Sequence, residues 1–323
     1  MREVENQAEW DDLVCESAGH PLQLWAWGEA KSQSGRWVAH RLWLDGYGGA
    51  QVLVRRLPWP FNKLAYIPRG PVVNRAENRQ RVLDALISWA KDQGALELKV
   101  EPDWVDATGL GAFRKSRNHI LMARTLRIDL TKSEEELLAG LRRKTRYSVR
   151  KSQKSGVTIR KVEPDFAKNQ ADFETIMEIY NETANRAGFA LHGTKYYADL
   201  IKFLGRANQI YLAERDGLPL AFTWTLRTPA VEFWLYGGNN QAGRDTEANY
   251  ALNWQVILLS KAAGVKEYDM NGLLNDSVST FKSGFAEEGT TLVGTYDKPL
   301  SPLYGLWERI LPFGKKLVHL LKK

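Results

Sequence analysis

The sequence predicts a mixed α/β protein of the α+β type, built as two tandem units from an internal duplication. Three observations predict it. One order of elements occurs twice: two antiparallel strands, a third strand, a helix and a closing strand. The punctuation repeats in register. Asp45-Gly46 and Ala50 answer Asp216-Gly217 and Ala221, Tyr66 answers Tyr236, and Gly94 answers Gly264. Farther along, Phe113 answers Phe281, and Ile128-Asp129 answers Tyr296-Asp297. Finally, no Pro/Ser-rich or low-complexity linker separates the halves; a basic helix joins them. The first unit is expected over 1–132 with 296–323 returning to it, and the second over 133–295.

In the first copy an acidic helix, Glu9 to Val14, precedes the segment PLQLWAWGEAK. Strands Trp37–Leu44 and Gln51–Leu57 flank the Asp45-Gly46 turn, since such a dipeptide between apolar runs signals a hairpin. A third strand, Lys63–Ile67, stops at Pro68-Arg69-Gly70-Pro71. Val82, Leu83, Leu86, Ile87 and Ala90 share one face of a helix from Asn78 to Gln93. Gly94 ends it, and Ala95–Val100 is a buried strand leading to Glu101-Pro102-Asp103.

The joint, Ser133 to Gly156, opens with a capping box between Ser133 and Glu136 and is read as one helix. Nine of the twenty residues from Arg142 to Lys161 are basic with hardly an acid among them, which points beyond an ordinary solvated face to a polyanionic partner. The second copy adds helices Phe173–Asn185 and Tyr196–Leu204 around a loop at His192. Strands Ile210–Glu214, Ala221–Leu226 and Val231–Tyr236, helix Asn249–Ala263 and strand Val265–Met270 then repeat the first order.

At 323 residues, with 44% hydrophobic and 26% charged residues, the chain is an ordinary globular protein of one or two domains. A formal charge of +7 favours nucleic acid, phosphate or an anionic membrane surface as partner. Cys15 is the only cysteine, which excludes a disulfide framework and a thiolate zinc site. The histidines lack metal-ligand spacing, so no metal is expected. The N-terminus is too acidic for a signal peptide, and no apolar run reaches the ~20 residues that span a bilayer. A cytoplasmic monomer is expected, with peripheral contact at the inner face of the membrane.

Metalloprotease, nucleophile-elbow, Walker and dinucleotide motifs are all absent. The strand pair, helix and strand of each copy suggest an N-acyltransferase-like fold. Coenzyme A would need a glycine-rich pyrophosphate loop at a helix N-terminus, and Gln241-Ala242-Gly243-Arg244-Asp245 does not match one. No cofactor is expected.

Several segments together resemble the FemABX family of aminoacyl-tRNA-dependent, non-ribosomal peptidyltransferases that build peptidoglycan cross-bridges. They are Gln23…Trp27-Gly28…Lys31, Ala65-Tyr66-Ile67-Pro68-Arg69-Gly70-Pro71, Lys99-Val100-Glu101-Pro102-Asp103 and Lys144-Thr145-Arg146-Tyr147…Arg150. Tyr236-Gly237-Gly238…Asn249-Tyr250, Tyr268-Asp269-Met270-Asn271-Gly272 and Phe281-Lys282-Ser283-Gly284-Phe285 follow in order. The resemblance implies two tandem acetyltransferase-like (GNAT-like) domains, here without the coiled-coil arm of some members. It implies transfer of an amino acid from aminoacyl-tRNA to an amine of a UDP-linked or lipid-linked muropeptide precursor.

It also implies residue roles. Lys31, Tyr196 and Tyr236 would contact the precursor, with His192 where compact relatives carry Arg. Asp103 matches a proposed base and Lys282 a lysine implicated in catalysis. Arg69 lines the precursor site or serves the strand end, the latter being preferred. Arg142, Arg143, Lys144, Arg146 and Arg150 are the candidate tRNA contacts. Chemically, only a neutral amine attacks the ester, so a carboxylate at a strand end suits Asp103; a turn cap is the plain alternative. A held ammonium at Lys282 suits charge developing on the ester oxygen; a surface lysine is its alternative. Two other readings stay open: an acyltransferase with another donor or amine, and a non-catalytic RNA-binding protein with a degenerate site.

At the C-terminus, Leu303–Leu311 is expected to pack on the first unit. Phe313–Lys323, with Lys315, Lys316, Lys322 and Lys323, is short, amphipathic and basic, and is expected to lie on an anionic bilayer.

Overall fold

Strand pairing sorts the chain more sharply than its composition does. The computed structural model describes residues 1–163, 169–274, 277–286 and 288–320, with side chains to Pro312. The basic C-terminal piece that was expected to lie on a bilayer therefore falls outside the described side chains. One unit is Met1–Ala123 with the segment returning from Thr291; the other is Arg124–Thr290.

The first unit holds β1 (Arg2–Glu3), α1 (Gln7–Glu16), α2 (Trp25–Ser32), β2 (Val38–Leu44), β3 (Gly48–Arg56), β4 (Lys63–Pro68), β5 (Val72–Val73), α3 (Arg79–Asp92), β6 (Ala95–Glu101) and β7 (Arg114–Lys115). The second begins with β8 (Arg124–Asp129), α4 (Glu134–Gly140), α5 (Arg143–Lys154), β9 (Thr158–Val162), α6 (Gln170–Ala187) and α7 (Thr194–Leu204). It continues through β10 (Asn208–Arg215), β11 (Leu218–Arg227), β12 (Val231–Asn239), α8 (Gln241–Asp245), α9 (Ala248–Ala262), β13 (Glu267–Gly272), α10 (Ser277–Lys282) and β14 (Thr290–Thr291). The chain returns as β15 (Tyr296–Pro299) and α11 (Tyr304–Leu320).

The two sheets pair alike. In the first, β2, β3 and β4 are successively antiparallel, β4 and β6 are parallel, and β15 closes antiparallel to β6. In the second, β10, β11 and β12 are antiparallel, β12 and β13 are parallel, and β8 closes antiparallel to β13. α3 and α9 make the two crossovers, and each ends at a left-handed glycine, Gly94 (φ +66°) and Gly264 (φ +82°). The duplication is thus repeated strand by strand.

The unit boundary lies at 123/124 rather than 132/133, because Arg124–Asp129 belongs to the second sheet, with Tyr268 opposite Ile128. The return starts at Thr291 rather than 296. Leu292 N–H donates to Ala123 O at 2.9 Å and Val293 N–H to Trp104 O at 2.8 Å.

Core packing follows the predicted stripe on α3, where Val82, Leu83 and Leu86 are fully buried. Each contributes about 1.5–3 kcal/mol. The resemblance motif Lys99-Val100-Glu101 is structural. Glu101 is buried and accepts from Tyr66 Oη at 2.5 Å, Ile120 N at 2.8 Å and Thr295 Oγ1 at 2.6 Å. Lys99 is buried in an ion pair with Asp297 of β15 and donates to Ser116 Oγ at 2.9 Å. Those charges are satisfied inside the fold, as buried charges must be.

The basic joint is two helices, not one. The capping box forms, with Ser133 Oγ accepting from Glu136 N at 3.2 Å and Glu136 accepting from Ser133 N at 2.7 Å. Leu141 and Arg142 are then extended (ψ 144° and 148°) between α4 and α5. Arg142 N–H bonds outside the helix, to Gly284 O at 2.9 Å. Arg160 and Lys161 lie on strand β9, so the basic run does not continue as helix. Arg160 pairs there with Asp172 and with Glu214 at 2.8 Å.

Candidate active site

In the second unit, β12 organises the site. Trp224 and Thr225 of β11 face Tyr236 and Trp234, so Leu235 is an extra residue, a bulge. Trp234 and Tyr236 therefore emerge on opposite faces of the sheet, though only two residues apart. Trp234 joins the core beneath α9, and Tyr236 packs among Tyr180 of α6, Tyr197 of α7 and Trp224.

Lys282, the last residue of α10, is 6% exposed. Its Nζ donates to Gly272 O at 2.9 Å and stands 4.4 Å from the Trp234 ring centroid. A carbonyl and an aromatic face both favour a cation, which holds the ammonium in place. Trp234 lies flat along its own strand because position 237 lacks a side chain. A Cβ on Gly237 would meet the indole at 2.5 Å.

α10 stands between two pockets. One of about 320 Å³ is lined by Arg186, Trp234, Gly237, Arg244, Tyr250 and Phe281. Tyr250 and Phe281 meet edge to face at 4.9 Å. The other, about 500 Å³, carries Arg124, Arg142 and the hydroxyl residues Ser277, Ser279, Thr280 and Ser283. Guanidinium and hydroxyl donors suit phosphate oxygens.

The turn in the position of a pyrophosphate loop is occupied by the protein itself. Asn240 Oδ1 accepts the Gly243 N–H at 2.9 Å, capping α8. Glu247 stands at the N-terminus of α9 and receives Lys151 Nζ at 3.0 Å. Burial alone would raise the Glu247 carboxyl, but Ser148 and Lys151 outweigh it and hold it below the usual range. A carboxylate at a helix start repels the anion that such a start otherwise attracts.

On the opposite face, the rings of His192 and Tyr196 meet at a tilt of 40° with centroids 4.2 Å apart, and Tyr196 is hydrogen-bonded to Tyr236. Burial, then Tyr196, pushes the Tyr236 hydroxyl well above its ordinary value, so it is a neutral donor. These three candidates come together, and Lys282 belongs with Trp234 on the other side of the strand.

In the first unit, Arg69 is buried with φ +51° and donates to Met122 O at 3.2 Å. Its Nε lies 4.0 Å from Asp103 Oδ1, which makes the pair a strand-end unit. Lys31 is half-buried, its Nζ 4.3 Å from the Trp27 ring. Among the tRNA candidates, Arg142, Arg143, Lys144 and Arg150 are exposed. Arg146 is half-buried and binds Ala139 O at 2.8 Å and Leu141 O, closing the end of α4. It is a helix cap as much as a surface charge.

Sequence reasoning missed Trp234, Arg124 and Glu247. Trp234 had a signal, an indole two residues before Tyr236. Arg124 had none.

The sequence profile of the FemAB family matches residues 110–217 and 204–310. The chain belongs to the FemAB family. A Lipid II:glycine glycyltransferase of Staphylococcus aureus is 29% identical, with 91% of each chain covered. In strain USA300 the enzyme of that name is 22% identical over the same shares. The crystal structure of FemX superposes with a TM-score of 0.83 at 21% identity, covering 95% of this chain and 100% of FemX. A tandem GNAT protein from the clavulanic acid biosynthesis pathway superposes with a TM-score of 0.50 at 13% identity, covering 92% and 96%. The fold of this FemAB protein is two tandem GNAT-like domains, and it is a transferase. Among the described residues no helix is long and apolar enough to cross a membrane.

Proposed function

We propose that this FemAB protein transfers an amino acid from aminoacyl-tRNA to an amine of a peptidoglycan precursor stem peptide, UDP-linked or lipid-linked. Lys282, fixed between Gly272 O and the Trp234 ring with a pocket on each side of its helix, is the observation that carries this reading. An aminoacyl ester is already activated, so no covalent intermediate is needed. What the reaction lacks is a cation for the ester oxygen and an acceptor for the amine proton.

Lys282 supplies the first, a task in which loss of one donor costs roughly 10²–10³ in rate. Asp103, the carboxylate beside Arg69, is the proposed acceptor for the second. The aromatic pocket at Tyr250 and Phe281 suits the terminal base of the tRNA, and the pocket of Arg124, Arg142 and hydroxyls suits its phosphates. Exposed Arg143, Lys144 and Arg150 extend that basic surface along α5. His192, Tyr196, Tyr236 and Lys31 are the proposed precursor contacts. The similar S. aureus proteins, named for a lipid-linked acceptor, support this substrate class.

Charged tRNA with UDP-muropentapeptide or lipid-linked precursor, followed by mass spectrometry, tests the proposal. An increase by one amino acid is expected. An increase with another activated acyl donor instead would make it an acyltransferase of the same fold. RNA binding without any product would leave an RNA-binding protein.

A further inference from the structure

A second feature lies in the first unit and does not depend on the transferase reading. The hairpin of β3 and β4 ends on two cations, Arg56 and Lys63, which face each other as Cα partners. The tip between them is firmly held. Leu57 N–H donates to Asn62 O at 2.7 Å, Phe61 N–H to Pro58 O at 2.9 Å and Asn62 Nδ2 to Gly94 O at 2.5 Å. Phe61 plugs the core beneath, its ring 5.0 Å from Trp307 of α11. So anchored, the tip presents Trp59 outward, 92% exposed.

A lone exposed apolar side chain is ordinary. Its company is not. The inner face of α11 buries Tyr304 and Trp307 against Phe61. Its outer face leaves Leu306 and Ile310 exposed, with Arg309 beside them and exposed Leu303 just before the helix. Behind the hairpin tip, a pocket of about 480 Å³ carries Arg36, Arg55, Arg56 and Lys63, and among the described residues no acid lines it.

We propose that the Trp59 hairpin tip and the outer face of α11 dock on an anionic lipid bilayer. Tryptophan sits at the boundary between headgroups and acyl chains, aliphatic side chains enter the apolar side, and the cations meet lipid phosphates. Single-stranded RNA also attracts a bare indole and cations. Leu306 and Ile310 offer nothing on which a base can stack, which favours the membrane.

Co-sedimentation of the full chain with vesicles of phosphatidylcholine, alone or mixed with phosphatidylglycerol, tests the inference. Partitioning onto the mixed vesicles is expected, decreasing as salt is added. Trp59→Ser and the double variant Arg56→Glu/Lys63→Glu should each lower it on the order of tenfold. Their melting temperatures should match the wild type, because the substituted side chains are at the hairpin tip. Equal partitioning of wild type and both variants overturns the inference and moves any binding to the C-terminal segment. So does absence of partitioning. Unchanged vesicle binding with weakened binding of a single-stranded RNA oligonucleotide by Trp59→Ser would assign the surface to RNA.

Discussion

Lys282 Nζ stands 4.4 Å from the ring of Trp234 and spends one hydrogen bond on Gly272 O. An ammonium so held has little freedom to lose when it meets a developing charge. Lys282→Met should lower turnover by roughly 10²–10³ while precursor and tRNA binding stay within a few fold, because the contact strengthens in the transition state. Single-turnover rates and equilibrium binding decide it. Equal losses in both would reduce Lys282 to a packing residue.

Asp103 lies beside Arg69 at 4.0 Å. If the carboxylate takes the amine proton, Asp103→Asn should slow turnover and recover part of it at higher pH, where more of an amine of pKa ~10.4 is neutral unaided. The pH–rate profiles of wild type and variant are the measurement. A parallel pair of profiles would show that Asp103 only orients the strand end.

The two copies were legible in the sequence because each carries the same turn and helix-end signals. A glycine needed at positive φ, as at Gly94 and Gly264, is written in the residue type. The break at Leu141-Arg142 was not legible. It depends on Gly284 O and on Arg146 reaching back to Ala139 O, contacts that no local pattern encodes. The same holds for the bulge at Leu235. Alternation alone puts Trp234 and Tyr236 on one face, whereas pairing with β11 separates them. Strand β8 falls to the wrong unit in the sequence for a like reason, since its partner β13 lies far along the chain. Lys282 and Tyr236 were named through the family resemblance, and their neighbours come only from the fold.

The basic surface should divide by role. Charge reversal at Arg142, Arg143 and Lys144 should weaken tRNA binding and flatten its salt dependence, the slope falling by about one for each phosphate left without its cation. Arg146→Ala should instead lower thermal stability, by about 1–2 kcal/mol, since it uncovers the carbonyls at the end of α4. Filter binding across salt, with melting curves for each variant, separates the two. Equal melting temperatures for all of them would deny Arg146 its capping role.

Glu97 is a buried acid beside Lys99 Nζ at 3.8 Å. Burial pushes its carboxyl up to about 7, against the opposing pull of Lys99. Because the folded state holds this proton more tightly than the unfolded chain, its contribution to stability is complete below the unfolded carboxyl range. It declines as pH rises and is lost as pH passes through about 7. Between about pH 5 and 8 the melting temperature of the wild type should therefore fall relative to Glu97→Gln, by a few kcal/mol in stability at most. A constant difference between the two proteins across that range would refute the assignment.

One close contact links the basic helix to the catalytic candidate. Gly284, two residues after Lys282, lies against the start of α5, and a Cβ there would meet Thr145 Oγ1 at 2.2 Å and Phe281 O at 3.1 Å. Thr145 is buried on the helix face that packs inward, and a β-branched side chain is stiff at χ1, so turning its hydroxyl away from the contact is costly. Gly284→Ala must push the segment Phe281–Phe285 away from α5, at a cost of about 1–3 kcal/mol, and carry Lys282 with it. Turnover should fall together with stability. Thr145→Ala removes the hydroxyl that clashes, so the double variant Thr145→Ala/Gly284→Ala should regain part of both, with a coupling of about 1 kcal/mol or more between the sites. A double-mutant cycle on melting temperature and turnover measures it. Strict additivity would mean that Gly284 is dispensable to the position of Lys282, and that the Phe281-Lys282-Ser283-Gly284-Phe285 frame owes its form to something other than this contact.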